Sequence, residues 1–135
     1  MKCLMDLGLF MIRAVIGLLM IGHAGKMLFG LFGGGGLLKT ADFFESIGIR
    51  PGVFMAISAG LLELIGGLLF AAGLWIQVGA VLLIIPMVVA IAKFHGANGI
   101  WGEKNGYEYN LVLIITLIGI AFTGAGEISI DALLK

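Results

Sequence analysis

Glu63 is the residue of this chain whose surroundings most strongly suggest chemistry. No other charged side chain lies between Val53 and Ile76, and the stretch is mainly apolar. About 20 apolar residues cross a bilayer, so Glu63 is expected near the middle of the membrane. A carboxylate at that depth is costly, faces protein or water, and commonly marks a functional site. Carrying a proton or forming an ion pair is the chemistry that such a group offers.

The small residues around Glu63 predict the direction in which it points. At 100° per residue, they fall with Glu63 inside an arc of about 80° on one helix face. They are Ala56, Gly60, Gly67 and Ala71. A stripe of small residues lets membrane helices approach closely. Glu63 is therefore predicted to face a neighbouring helix rather than lipid.

Arg13 is the cation expected to accompany this carboxylate. It lies inside the first apolar segment, away from both ends. We expect it to neutralise Glu63 or Glu108, because charge-assisted pairing keeps such groups stable below the headgroups. The alternative is structural, since a buried pair can fix helix register without taking part in a reaction. The three residues are thus candidates for proton handling or for an ion pair.

A second polar cluster is predicted at one rim of the bundle, where two connections come together. Basic side chains near an aromatic ring and a carboxylate could hold an anionic or quinone-like head group. The candidate binding residues are His23, Lys26, Lys93, His95, Asn98, Trp101 and Tyr109. The alternative is anchoring, since Trp, Tyr and Lys favour the headgroup zone. The two histidines lack the close spacing of zinc motifs, so no metal site is predicted.

The composition places the chain in a membrane. Of its 135 residues, 61% are hydrophobic and 12% are charged, against about 25% charged in a soluble domain. A soluble chain of this size buries only about two thirds of its surface, so the remaining apolar surface is expected to face lipid. The zero net charge argues against a nucleic-acid partner. The single cysteine, Cys3, excludes an internal disulfide and a C-x-x-C redox pair.

The elements that would position these residues are helices. The apolar runs are too long for ordinary strands and lack their period-2 alternation. Four membrane spans are predicted, at Leu7–Phe29, Val53–Leu74, Val78–Phe94 and Tyr109–Thr123. Between the first two, apolar residues at helical spacing through Leu37–Ile47 predict a short amphipathic helix at the membrane interface. The predicted fold is an all-α integral membrane four-helix bundle, formed as one domain by residues 1–135.

A series of motifs runs along nearly the whole chain. They are Arg13-x3-Gly17, His23-Ala24-Gly25-Lys26, Phe32-Gly33-Gly34-Gly35-Gly36, Phe43-Phe44-x3-Gly48, Glu63-x2-Gly66-Gly67, Asn98-Gly99, Gly106-Tyr107-Glu108-Tyr109-Asn110 and Thr123-Gly124-x-Gly126-x2-Ser129-x-Asp131. In their order and spacing the chain resembles the DoxX-like family of small four-helix membrane proteins. That family is named for its association with a membrane thiosulfate:quinone oxidoreductase. The resemblance implies a multi-pass protein of the bacterial or archaeal cytoplasmic (inner) membrane.

The resemblance also implies a redox-linked, quinone-associated membrane subunit or oxidoreductase component. The chain shows no redox centre of its own, so a bound cofactor or a partner oxidoreductase subunit would have to supply electrons. Inward charges are equally expected in a small-molecule permease or carrier. A third alternative is a non-catalytic assembly or docking factor, in which the charges serve only helix packing. A homodimer is also considered, because one four-helix bundle is thin around a polar interior.

Overall fold

The computed structural model describes residues 2–134, and within that range the regular secondary structure is entirely helical. This confirms the predicted all-α class. Met1 and Lys135, which the predicted domain includes, lie outside the described residues. The helices are α1 (Lys2–Phe29), α2 (Gly36–Ser46), α3 (Gly52–Ala72), α4 (Ile76–Lys93), α5 (Glu108–Thr123) and α6 (Ile130–Leu133), with short 3-10 turns at Leu31–Gly33, His95–Asn98 and Gly102–Lys104.

Three helices within residues 2–134 are long and apolar enough to cross a membrane: α1 from Cys3 onward, α3 and α4. They match the first three predicted spans to within a few residues, and α1 begins earlier than predicted, at Lys2. α5 matches the fourth predicted segment but has only 16 residues. That is shorter than the roughly 20 residues that span a bilayer. A fourth crossing therefore stays a prediction.

The helices pack in the order α1, α3, α4, α5, each against the next, and α2 lies against α1 and α3. An apolar core fills the space between them, with Met20, Phe70, Leu83 and Leu117 among its buried members. In the part of the chain that the structure describes, α1 and α5 do not pack closely along their length. Leu18 and His23 of α1 and Tyr109 of α5 instead line a common open cleft.

Glycines bring α1 and α3 into backbone contact. A Cβ atom on Gly17 would lie 2.6 Å from the Cβ of Ala71, and one on Gly67 would lie 2.9 Å from the carbonyl oxygen of Gly17. Neither position has room for a side chain, so the helices touch through their backbones. This confirms the predicted small-residue stripe: Ala56, Gly60 and Gly67 are buried with Glu63. The contact also fixes the register of the two helices.

α2 coincides with the predicted amphipathic helix to within one residue at each end. The Thr40 hydroxyl donates a hydrogen bond to the carbonyl of Met27, 3.2 Å away, and so ties α2 to the end of α1. The ring of Phe43 packs edge-on against Phe94 beyond the end of α4, with 5.2 Å between ring centroids. α2 therefore covers the end of the bundle at which α1 finishes and α3 begins.

Candidate functional site

The buried carboxylate of Glu63 meets the imidazole of His23. The two carboxylate oxygens lie 3.1 and 3.2 Å from Nδ1 of the ring. Glu63 is 2% exposed, whereas the His23 side chain is 53% exposed. A hydrogen bond at these distances needs a proton between nitrogen and carboxylate. The pair thus connects a sequestered acid to a ring that reaches the protein surface.

Close helix contacts on both sides of this pair hold it in place. On one side Gly17 of α1 meets Gly67 of α3, as described above. On the other, a Cβ on Gly60 would lie 2.5 Å from the Leu28 side chain. Because α1 and α3 run antiparallel, His23 and Glu63 fall between these two contacts and oppose each other. The glycine stripe therefore determines the partner of Glu63.

His23 also lines a cavity of about 410 Å³ beside the cleft between α1 and α5. This volume falls in the range of about 300–1,000 Å³ that is typical of small-molecule sites. The walls are largely apolar, and the polar side chains among them are His23, Lys26 and Tyr109. The full lining is Leu18, Leu19, Met20, Gly22, His23, Lys26, Phe32, Met87 and Tyr109. An apolar ligand that carries a hydrogen-bonding group suits such walls.

Three residues of the predicted rim cluster therefore come together at this cavity: His23, Lys26 and Tyr109. His23 was expected in that cluster but not against Glu63. Helical spacing alone does not show this pairing, because the register between two helices decides it.

The other members of the predicted rim cluster lie elsewhere. His95 Nδ1 donates a hydrogen bond to the carbonyl of Asn105 over 2.7 Å, and the Asn98 amide donates to the same oxygen over 3.1 Å. Both side chains thus organise the connection between α4 and α5. Lys93 is exposed at the end of α4, and Trp101 is 62% exposed in that connection. None of these four is among the cavity-lining residues.

Arg13 does not take its predicted place beside Glu63 or Glu108, because backbone carbonyls surround its guanidinium group. Its Nε donates to the carbonyl of Phe70 over 3.3 Å and its Nη2 to that of Ala71 over 3.1 Å. Its Nη1 donates to the carbonyls of Ala125 and Ile128 over 2.7 and 2.9 Å. Carbonyls in the last turn of a helix have orphan acceptor capacity that a cation can use. Arg13 thus joins the end of α3 to the segment that follows α5.

Glu108 likewise lies apart from the buried pair. It is exposed at the first position of α5, where its Oε2 accepts a hydrogen bond from the amide of Gly102 over 2.8 Å. This hydrogen bond joins Gly102 to the start of α5. The predicted group of Glu63, Arg13 and Glu108 is therefore not assembled, and Glu63 pairs with His23 instead.

Asn110 is a buried polar residue outside the predicted sites. It is 5% exposed on α5, and its amide nitrogen lies 3.5 Å from the sulfur of Met87, which lines the cavity. A primary amide inside an apolar helix is itself a signal, because burying it requires a hydrogen-bond partner. That signal was present in the sequence.

Comparison with known proteins agrees with this membrane-helix architecture. A model of the DoxX family matches residues 8–96, which is more than half of the chain. A Mycobacterium tuberculosis protein named "Uncharacterized membrane protein Rv3486" is 35% identical over 98 residues, covering 65% of this chain but only 60% of that protein. A Bacillus subtilis protein named "Putative oxidoreductase CatD" is 29% identical over 126 residues, covering 93% of this chain and 86% of that protein. No solved structure matches the chain. The chain belongs to the DoxX family and is a membrane protein.

Proposed function

We propose that this protein is the quinone-binding subunit of a redox system in the cytoplasmic membrane. The cavity would hold the quinone head group, and the His23–Glu63 pair would exchange a proton with it. The observation that carries this proposal is a half-exposed imidazole in the wall of a ligand-sized apolar cavity, backed by a buried carboxylate. The name of the Bacillus subtilis relative, "Putative oxidoreductase CatD", also supports a redox role.

The cavity walls fit a quinone better than a polar solute. Apart from His23, Lys26 and Tyr109, the lining side chains are apolar. A quinone ring is flat and apolar, and its carbonyl oxygens accept hydrogen bonds. The cleft between α1 and α5 would let such a ligand enter from the lipid. The ammonium of Lys26, one helical turn beyond His23, is placed to attract the ring oxygens as they gain negative charge.

The two ring nitrogens of His23 would have separate tasks. Nδ1 is held by Glu63, and Nε2 has no hydrogen-bond partner among the described residues. With Nδ1–H donating to the carboxylate, a neutral His23 presents a lone pair at Nε2, and a cationic His23 presents an N–H. The cationic ring would donate a proton to a reduced quinone oxygen, and the neutral ring would take one from a hydroquinone. Glu63 would stabilise the cation and orient the ring.

Electrons would come from a partner oxidoreductase subunit. Reducing a quinone to a hydroquinone consumes two electrons and two protons. The partner would supply both electrons, His23 would deliver one proton, and water at the open side of the cavity would deliver the other. The exposed connection between α4 and α5, with Trp101 and Lys93, lies at the membrane surface in this proposal. There it would anchor the protein in the headgroup zone.

The remaining predicted features belong to the same proposal. The whole chain would form one multi-pass DoxX-like domain, in which α5 is the fourth crossing and the bilayer thins to match its length. α2 would lie at the membrane interface, because Leu38 is 73% exposed and Phe43 is 45% exposed on this amphipathic helix. The homodimer also remains a proposal.

Quinone binding by the purified protein tests the proposal. We expect the wild-type protein, extracted in native lipid, to retain quinone detectable by mass spectrometry, and the emptied protein to bind a short-tailed ubiquinone analogue at about one per chain. His23→Ala should weaken this binding about tenfold or more, as loss of one strong hydrogen bond does. His95→Ala is the matched control, because His95 lies outside the cavity, and it should leave binding unchanged.

Three results would contradict the proposal. The first is a wild-type protein that neither retains nor binds a quinone. The second is solute uptake into proteoliposomes that Glu63→Gln abolishes, which would indicate a carrier. The third is a stably copurifying soluble oxidoreductase with no bound ligand, which would indicate a docking factor.

A further inference from the structure

Asn110 lies directly behind one wall of the cavity. Met87 of α4 lines the cavity, and the amide nitrogen of Asn110 on α5 is 3.5 Å from its sulfur. Both residues are buried, Met87 at 7% exposure and Asn110 at 5%. The Met87 side chain therefore stands between a buried hydrogen-bond donor and the cavity.

The bond to sulfur satisfies this amide poorly. A thioether is a weak acceptor, whereas a carbonyl oxygen is a strong one. Within residues 2–134, the contact with the Met87 sulfur is the only hydrogen bond that the Asn110 amide nitrogen forms. Burying an amide without good partners costs free energy. A ligand oxygen that reached Asn110 would therefore form a better bond than the one it replaced.

Met87 is suited to move aside. Its side chain is unbranched and has three rotatable bonds, so it adapts to neighbouring groups at low cost. The cavity next to it is apolar and large enough to receive the displaced thioether. A ligand entering from the cleft would meet His23 on the α1 side and, once Met87 has turned, Asn110 on the α4–α5 side.

We infer that the cavity holds a 1,4-quinone by both of its carbonyl oxygens. One oxygen binds Nε2 of His23, and the other takes the Asn110 amide from Met87. This inference rests on the proposed function and makes it specific, because it names the second group that binds the ring. Asn110 is then a binding residue for the ring, and Met87 closes the empty site.

Infrared spectroscopy of a bound ubiquinone analogue tests the inference at each carbonyl separately. The analogue is labelled with ¹³C at ring position 1 or position 4, so that the two stretching bands can be assigned. In the wild-type protein both bands should lie below their frequencies in detergent solution, because both oxygens accept hydrogen bonds. In Asn110→Leu, which keeps the branched shape and the number of heavy atoms but removes the amide, one band should return to the free frequency while the other stays shifted. The affinity should fall about tenfold.

Two further variants complete the test. Asn98→Leu removes an amide outside the cavity and should change neither band. Met87→Ala keeps the wall apolar but removes the side chain that covers Asn110, so the amide has no hydrogen bond to sulfur that a ligand must replace. Quinone should then bind at least as tightly as to the wild type, with both bands still shifted. Met87→Ala also keeps the inference testable if Asn110→Leu does not fold.

The outcomes separate this inference from the proposed function. If the wild-type protein binds no quinone, both are overturned. If binding depends on His23 but Asn110→Leu leaves both bands and the affinity unchanged, only the two-point inference is overturned. A tenfold weaker affinity in Met87→Ala would also overturn it, because Met87 would then be a residue that binds the quinone rather than one that covers Asn110.

Discussion

Arg13 and Glu63 share the interface between α1 and α3 but are stabilised by different partners about two helical turns apart. Glu63 precedes Phe70, whose carbonyl accepts from Arg13, by seven residues, or about 10 Å along α3. Arg13 is 1% exposed and donates its hydrogen bonds to backbone carbonyls, and Glu63 is 2% exposed against a histidine. Arg13 therefore holds the end of α3 to the segment after α5, while Glu63 contacts a residue of the candidate site. Substitutions at the two positions should have different consequences.

Replacing Arg13 with Met should detach the segment that follows α5. The change leaves the buried carbonyl of Ala125 and the partly buried carbonyl of Ile128 without their donor, and unpaired buried groups cost about 1–3 kcal/mol each. We expect the free energy of unfolding in detergent to fall by about 3 kcal/mol or more. Limited proteolysis should then cleave the chain after Thr123. Quinone binding per folded molecule should be retained.

Arg50→Met is the matched control, because Arg50 is exposed between α2 and α3. It should change neither the unfolding free energy nor the cleavage pattern. If Arg13→Met destabilised the protein no more than Arg50→Met does, the carbonyl bonds of Arg13 would be of little energetic importance.

The two members of the buried pair should differ in what their removal costs. His23→Ala leaves the Glu63 carboxylate buried and without its partner, and an unpaired buried charge lowers stability strongly. Glu63→Gln leaves a partly exposed imidazole that can bind water, and the new amide can still hydrogen-bond to it. We therefore expect His23→Ala to lower the unfolding free energy by about 1–3 kcal/mol and Glu63→Gln to lower it by less. Denaturant titration of both variants and of the double variant measures the coupling.

The opposite order of stability would contradict this asymmetry. It would mean that the Glu63 charge is stabilised by groups other than His23. Adding His23→Ala to Glu63→Gln should lower the free energy of unfolding less than His23→Ala alone does. The double variant has no buried carboxylate that could lose its partner.

The sequence predicted the side of α3 on which Glu63 lies, but not its partner. The direction is a local property, because the 3.6-residue period places Glu63 on the same face as Gly60 and Gly67. The partner depends on the register of α1 against α3, which the contact between Gly17 and Gly67 fixes. A period within one helix carries no information about a shift between two helices. The pairing with His23 was therefore beyond sequence reasoning.

The same limit explains the errors at Arg13 and in the rim cluster. Arg13 binds carbonyls of a segment without an apolar pattern, and the path of that backbone cannot be inferred from hydropathy. His95 and Asn98 were grouped with His23 because their connections lie at the same rim. Their side chains instead bind the carbonyl of Asn105 within their own connection. Side-chain type indicated polarity, but backbone geometry decided which groups meet.

Gly17→Ala should disturb the pair from a distance. The added Cβ would lie 2.6 Å from the Cβ of Ala71 and 2.8 Å from the carbonyl oxygen of Gly67, so α1 and α3 would have to separate. We expect a loss of about 1–3 kcal/mol in unfolding free energy, together with weaker quinone binding as His23 moves. Gly8→Ala is the control in the same helix, because its Cβ meets nothing within 4 Å. Equal stability of the two variants would show that the helices are not in close contact at Gly17.

Gly22→Leu should block the cavity without disturbing the fold. Gly22 lines the cavity, and a Cβ there would meet nothing within 4 Å, so a larger side chain has room to project into it. Leucine also favours a helix over glycine by up to about 1 kcal/mol, so the unfolding free energy should not fall. We expect the affinity for a short-tailed ubiquinone analogue to drop at least tenfold. Gly8→Leu adds the same side chain to the same helix away from the cavity and should leave the affinity unchanged. If Gly22→Leu bound the analogue as tightly as Gly8→Leu, the quinone would have to bind somewhere other than beside His23.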